Sequence, residues 1–148
     1  MTRLALYQPD IPQNTGAIIR LAACLGAGVD IIEPCGFILD DTRIRRAHMD
    51  YIQHVDIIRH ADLAAFDNAR QGHRKILLAP QGETSIYDFG FHVDDVLILG
   101  PESKSTLPEL MDYADMVLKI PMQPDARSLN VAMAGAIALG ELRRQWPI

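Results

Sequence analysis

Short, nearly continuous runs of apolar and β-branched residues alternate with helix-patterned segments along the whole chain. This alternation is what most narrows the choice of fold. Runs of this kind suit strands covered on both faces, the condition of a parallel sheet. They predict strands at Leu4–Tyr7, Val29–Ile32, Val55–Ile58, Ile76–Ala79, Val96–Leu99 and Met116–Lys119. Between them, Asn14 is placed to cap a helix running through Ile18, Ile19, Ala22, Ala23 and Leu25 and stopping at Gly26. Asp41 is placed to cap a short basic turn through Arg46, and Asp62–Arg70 reads as a third helix. Pro108–Tyr113 begins with a proline whose missing N–H costs little in a first turn. Leu129–Gln145 is the longest helical pattern. Strand and helix in alternation imply an α/β fold: a parallel sheet with helices on both faces and right-handed crossovers. Ligands of such sheets bind beyond the carboxyl ends of the strands. Pro80–Thr84, Gly100–Pro108 and Ile120–Asn130, each following a predicted strand, are therefore the segments to watch.

Length and composition exclude several alternatives. At 148 residues, with 49% apolar and 22% charged, the chain reads as one globular domain spanning residues 1–148. Its net charge of −5 excludes a uniformly basic surface but not a local basic patch. The longest uncharged stretch, Ser128–Gly140, falls short of the ~18 apolar residues of a membrane span. The apolar run at the start, Leu4–Tyr7, is too short for a signal peptide, so the expected setting is the cytoplasm, with no membrane partner. Cys24 and Cys35 form no metal-spaced set, and His48, His54, His60, His73 and His92 make no H-x-x-x-H pair; no metal is expected. Gly26-Ala27-Gly28 precedes a strand rather than a helix, the wrong context for a dinucleotide fingerprint, and no phosphate-cradling loop or serine elbow occurs. The neighbouring acids Asp40-Asp41 and Asp94-Asp95 read as a helix cap and a loop before a strand.

Four segments carry possible chemistry. Arg20 follows Asn14 by six residues on an otherwise small and apolar helix. It is either a snorkelling side chain or a fixed guanidinium facing a phosphate or developing oxyanion. Gly100-Pro101-Glu102 directly follows a strand; it is an ordinary turn, or a close approach to ligand with a carboxylate two residues on. In Ile120–Asn130, two prolines stiffen a loop that feeds Ser128 and Asn130 into the last helix, as N-cap candidates or as a ligand-facing edge. Arg43, Arg45, Arg46 and His48 form either a solvated face or a set of phosphate contacts. Arg143 and Arg144 fit the C-terminal end of their own helix.

Asn14-Thr15-Gly16 with Arg20, Leu99-Gly100-Pro101-Glu102, and Ile120-Pro121-Met122 followed by Arg127-Ser128-Leu129-Asn130-Val131 together resemble the SPOUT (SpoU–TrmD) methyltransferase superfamily. Within it, Leu6–Pro12, Ile31-Ile32-Glu33-Pro34, Gly36-Phe37, the arginine segment and Asp50-Tyr51 resemble the short bacterial branch that methylates a ribose 2′-hydroxyl at the wobble nucleotide of tRNA. The resemblance runs in order over nearly the whole chain. It implies a C-terminal trefoil knot, a homodimer, and S-adenosylmethionine as methyl donor, leaving S-adenosylhomocysteine. It also implies a cofactor pocket edged by Leu78, Gly100, Ile120, Ser128 and Leu129, with catalysis by Arg20, Glu102, Ser128 and Asn130. Arg43, Arg45 and Arg46 would then contact the anticodon stem-loop of tRNA, at a cytidine or modified uridine in position 34. The alternatives are the same transfer on ribosomal RNA or at another tRNA position, or a non-catalytic α/β binding module such as a receiver domain. One departure stands out: relatives read G-P-E-x-x-G-L-P, whereas this chain reads Gly100-Pro101-Glu102-Ser103-Lys104-Ser105-Thr106-Leu107-Pro108, one residue longer and without the second glycine.

Overall fold

A computed structural model describes residues 1–40, 42, 55–104 and 107–148. The turn predicted after Asp41, with Arg43, Arg45 and Arg46, lies outside these residues, as do Ser105 and Thr106. The elements are β1 (Arg3–Tyr7), α1 (Pro12–Cys24), β2 (Gly28–Ile32), β3 (Ile57–His60), α2 (Leu63–Ala69), β4 (Lys75–Leu78), β5 (Thr84–Ser85), a 3-10 turn (Ile86–Asp88), β6 (Val96–Leu99), α3 (Pro108–Tyr113), β7 (Met116–Lys119) and α4 (Val131–Gln145). All seven strands belong to one parallel sheet in the order β3-β2-β1-β6-β4-β7-β5. The central β1 and β6 are buried at every position, which explains their near-continuous apolar runs.

The period of two along each strand divides the core between the two faces. Leu4 and Leu6 of β1, Val29 and Ile31 of β2, and Leu97 and Leu99 of β6 pack against Ile18, Ile19 and Ala22 of α1 and Ala138, Leu139 and Leu142 of α4. Ala5, Tyr7, Ile32, Val96 and Ile98 face the other way, toward Phe66 of α2 and Leu110 of α3.

Asp30, Asp95 and Glu141 are buried acids among the described residues, and the first of them sits in the middle of β2. Asp30 of β2 is fully buried and receives Arg3 at 2.6 Å, Arg70 at 2.7 Å and His60 at 2.8 Å. Burial alone would raise its pKa; the bonds from Arg70, His60 and Arg3 outweigh this and hold it below the usual carboxylate range. The network also explains a shift in the third strand, which begins at Ile57 rather than Val55 and runs through polar Arg59 and His60. His60 bonds Asp30 of β2 and Arg59 bonds Glu33, just past the end of β2, at 2.6 Å, so both polar residues find partners beside the neighbouring strand. The two-residue edge strand β5 has no apolar run to announce it.

Two helix starts differ from expectation. Asn14 does not cap α1: the helix begins at Pro12, the cap position is Ile11 without a side-chain bond, and Asn14 lies inside the first turn. The last helix begins at Val131 rather than Leu129, because Asn130 is its cap and accepts the N–H groups of Ala132 at 2.9 Å and Met133 at 3.2 Å. The helix read over Asp62–Arg70 runs over Leu63–Ala69, with Asp62 as its cap, accepting from Ala65 at 2.8 Å. Gly26, with φ +61°, takes the left-handed conformation just past the end of α1.

Candidate active site

The three loops singled out by their position after strands converge. Leu78 at the end of β4, Leu99 and Gly100 at the end of β6, and Ile120 just after β7 line a cavity of about 560 Å³. Leu107, Leu110 and Met111 close another part of its wall, and Val131 and Ala134 of α4 a third. α4 lies close to β6: a Cβ on Gly135 would stand 3.0 Å from Leu99 Cδ1, so the small residue lets the helix approach the strand end. The volume suits a small organic ligand, and the walls join apolar side chains to loop backbone.

A relay of polar side chains joins the loops at this edge. Glu102 Oε2 accepts the Asp10 N–H at 2.8 Å, and Oε1 accepts Asn14 Nδ2 at 3.2 Å. Asn14 Oδ1 accepts Asn130 Nδ2 at 3.0 Å, and Asn130 Oδ1 takes the first N–H groups of α4. A carboxylate can only accept, so Glu102 sets the direction of every bond in the relay: Asn14 must donate to it and accept from Asn130. Asn130 is thereby left with an acceptor for the donors of the helix end. Asp10 returns the clamp from β1's loop, its Oδ2 accepting the Ser103 N–H at 3.0 Å. The Ser103 hydroxyl and N–H, with Lys104 nearby, hold the Asp10 carboxyl below its usual range.

Leu78, Gly100, Glu102, Ile120, Ser128, Leu129 and Asn130, all expected site residues, come together in the wall of this cavity. Arg20 does not. It lies on the exposed stripe of α1 with Gln13, Ala17 and Cys24. Arg43, Arg45 and Arg46 fall outside the described residues. Sequence reasoning missed the part of Asn14, taken there for a cap. The signal was Pro12, whose preference for the first helical position places Asn14 inside the turn, free to reach across to Glu102. It also passed over Asp10 and the α3 residues Leu110 and Met111, whose places depend on which loops meet. Among the described residues no three His, Cys, Asp or Glu side chains gather as a metal site, and no helix is long and apolar enough to cross a membrane.

The chain is similar to known methyltransferases over its full described fold. It is 46% identical over 144 residues to the tRNA (cytidine(34)-2'-O)-methyltransferase of Beijerinckia indica subsp. indica, covering 96% of this chain and 90% of that one. A solved structure concerned with 2-OH methylation of C/U34 on tRNA superposes with a TM-score of 0.90 at 42% identity, covering 98% of this chain and 95% of the other. An AdoMet-bound rRNA methyltransferase from Sinorhizobium meliloti matches with a TM-score of 0.85 at 28% identity, over 98% of this chain and 56% of that longer one. Residues 1–140 match the SpoU rRNA Methylase family. With the parallel sheet, the cavity at its strand ends and the motifs that line it, this match makes the chain a member of that family.

Proposed function

We propose that this chain transfers the methyl group of S-adenosylmethionine to the ribose 2′-hydroxyl of the wobble nucleotide of tRNA, position 34, a cytidine or modified uridine. The observation that carries the reading is the Glu102–Asn14–Asn130 relay in the wall of a cavity lined by both apolar and polar residues, in a chain whose relatives bear that activity in their names. We read residues 1–148 as one methyltransferase domain acting in the cytoplasm as a homodimer. Exposed apolar side chains outside the cavity wall support the dimer: Met133 of α4 and Trp146 at its end are 60% and 44% accessible.

The cavity suits the cofactor in size and in kind. Leu78, Leu99 and Ile120 supply apolar walls, and the backbone of the Gly100 and Ser128–Leu129 segments supplies polar contacts at its edge. When bound, the cofactor supplies a methyl group on a sulfonium, whose bonding electrons stay with sulfur as the methyl leaves. Glu102 and Asn130 act by holding the loops in register, and Ser128 borders the space where ribose and cofactor meet. Arg20 is exposed on α1, outside the cavity wall, and on this reading the RNA approaches from that side. A guanidinium offers donors and no acceptor, so Arg20 positions the 2′-hydroxyl and stabilises the incipient alkoxide. The proton passes to an RNA phosphate or water. Alignment of the hydroxyl with the methyl is worth several kcal/mol by itself.

Mapping label from S-adenosylmethionine in bulk tRNA tests the reading. Label at the 2′-oxygen of nucleotide 34 is the expected result. Label in ribosomal RNA or at another tRNA position would keep the chemistry and overturn the substrate; absence of cofactor binding would overturn both.

A further inference from the structure

We propose that Lys104 and Arg127 form a phosphate clamp at the cavity mouth, holding the RNA backbone on the two sides of the nucleotide whose ribose is presented there. This rests on the methyl-transfer reading above and names two further positioning residues for it. Among the described residues of the cavity wall, three are charged: Glu102, Lys104 and Arg127. Both oxygens of Glu102 are engaged by Asp10 and Asn14. Glu102 keeps its negative charge, but its acceptors are occupied, whereas the two cations have no such partners among the described residues. They come from different loops, Lys104 after β6 and Arg127 before α4, and both are solvent-exposed.

Several other cations of the chain are committed to partners. Arg3 and Arg70 hold Asp30, Arg74 holds Asp95, and Arg144 holds Glu141. Arg143 spends its donors on the carbonyls of Leu25 and Gly26. Lys104 and Arg127, by contrast, make no ion pair among the described residues; the acid nearest in influence to Lys104 is Asp10, already bonded to Ser103. In a chain of net charge −5, two such exposed cations in the wall of the cavity suit the docking of a polyanion. A nucleotide inside an RNA strand carries one phosphate on its 5′ side and one on its 3′ side. Two cations on two loops match that pair better than they match the single carboxylate of the methyl donor.

The test measures binding of an anticodon stem-loop oligonucleotide to the full chain across a salt series, for wild type, Lys104→Ala, Arg127→Ala, the double variant and Lys104→Arg. Each alanine variant is expected to lower the slope of log K against log salt by about 0.7 to 0.9, the double variant by about twice that. Lys104→Arg is expected to keep the wild-type slope. Affinity for S-adenosylmethionine, measured by calorimetry on the same samples, is expected to stay unchanged. An unaltered slope in a double variant with wild-type melting overturns the clamp. So does loss of cofactor affinity with an unaltered slope, which assigns the cations to the cofactor's carboxylate. If wild type binds the stem-loop with the predicted slopes yet never methylates it, the methyl-transfer reading fails and the clamp stands.

Discussion

Arg20→Ala separates catalysis from binding. Arg20 lies outside the cavity wall, so its loss is expected to leave S-adenosylmethionine affinity intact. Turnover is expected to fall at least ~10²-fold, the scale of one preorganised oxyanion donor. Arg20→Lys should fare almost as badly, because a point charge cannot reproduce a planar fork. With melting and cofactor affinity at wild-type values, near-normal single-turnover methylation by Arg20→Ala would falsify the role and leave a snorkelling surface residue. Glu102 makes a different kind of prediction. Glu102→Gln keeps the shape but turns one acceptor into a donor facing either the Asp10 N–H or the Asn14 amide. Because the whole relay takes its direction from that carboxylate, the cost is expected to be about 1–3 kcal/mol in urea unfolding. A variant as stable as wild type would show that the relay flips without penalty.

At the scale of elements, the helix ends are set by contacts between segments far apart in sequence. Arg143 and Arg144 look like cations suited to the end of their own helix, and only partly are. Arg143 donates to the carbonyls of Leu25 at 2.8 Å and Gly26 at 2.7 Å, where α1 ends, so it closes another helix. Arg144 pairs with Glu141, a buried side chain on α4 that also accepts from Gln145 at 2.8 Å. Gln145 and Trp146 in turn bond the backbone of Phe89 and Phe91. The bonds from Arg144 and Gln145 bring the Glu141 carboxyl down to about 2. A depressed folded-state pKa gives stability that is complete above the unfolded value near 4.3 and is lost as pH falls toward about 2. Glu141→Gln is therefore expected to flatten the acid-unfolding profile across that window. Identical profiles for variant and wild type, followed by circular dichroism, would show that the pairing contributes nothing in solution.

For the whole molecule, charge and assembly make the prediction. Two copies would carry −10, twice the −5 of one, so the tRNA of the proposed reaction would meet concentrated basic segments rather than a general field. Light scattering is expected to give twice the 16.4 kDa of one chain at micromolar concentration; a monomer would remove the dimer. Replacing Arg43, Arg45 and Arg46 together is expected to weaken tRNA binding and flatten its salt dependence. Unchanged affinity would mean that those arginines only solvate the surface.

The amino-acid sequence by itself determined the parallel α/β class, the places of most strands and helices, and the three loops that form the site. These are legible because burial on both faces imposes continuous apolar runs, and because ligands of such sheets gather at strand ends. It did not determine the extent of β3, whose His60 and Arg59 find partners on β2 and just past its end, nor the short edge strand β5. A trefoil knot, which the resemblance implies, has no mark in periodicity at all. The site divides the same way. Motif order named Glu102, Ser128 and Asn130, but only the tertiary structure turned Asn14 from a supposed cap into the link between Glu102 and Asn130, residues 88 and 116 positions away. Propensity and pattern act over a few residues, whereas a hydrogen-bond relay across three loops exists only once the sheet has brought their strand ends together.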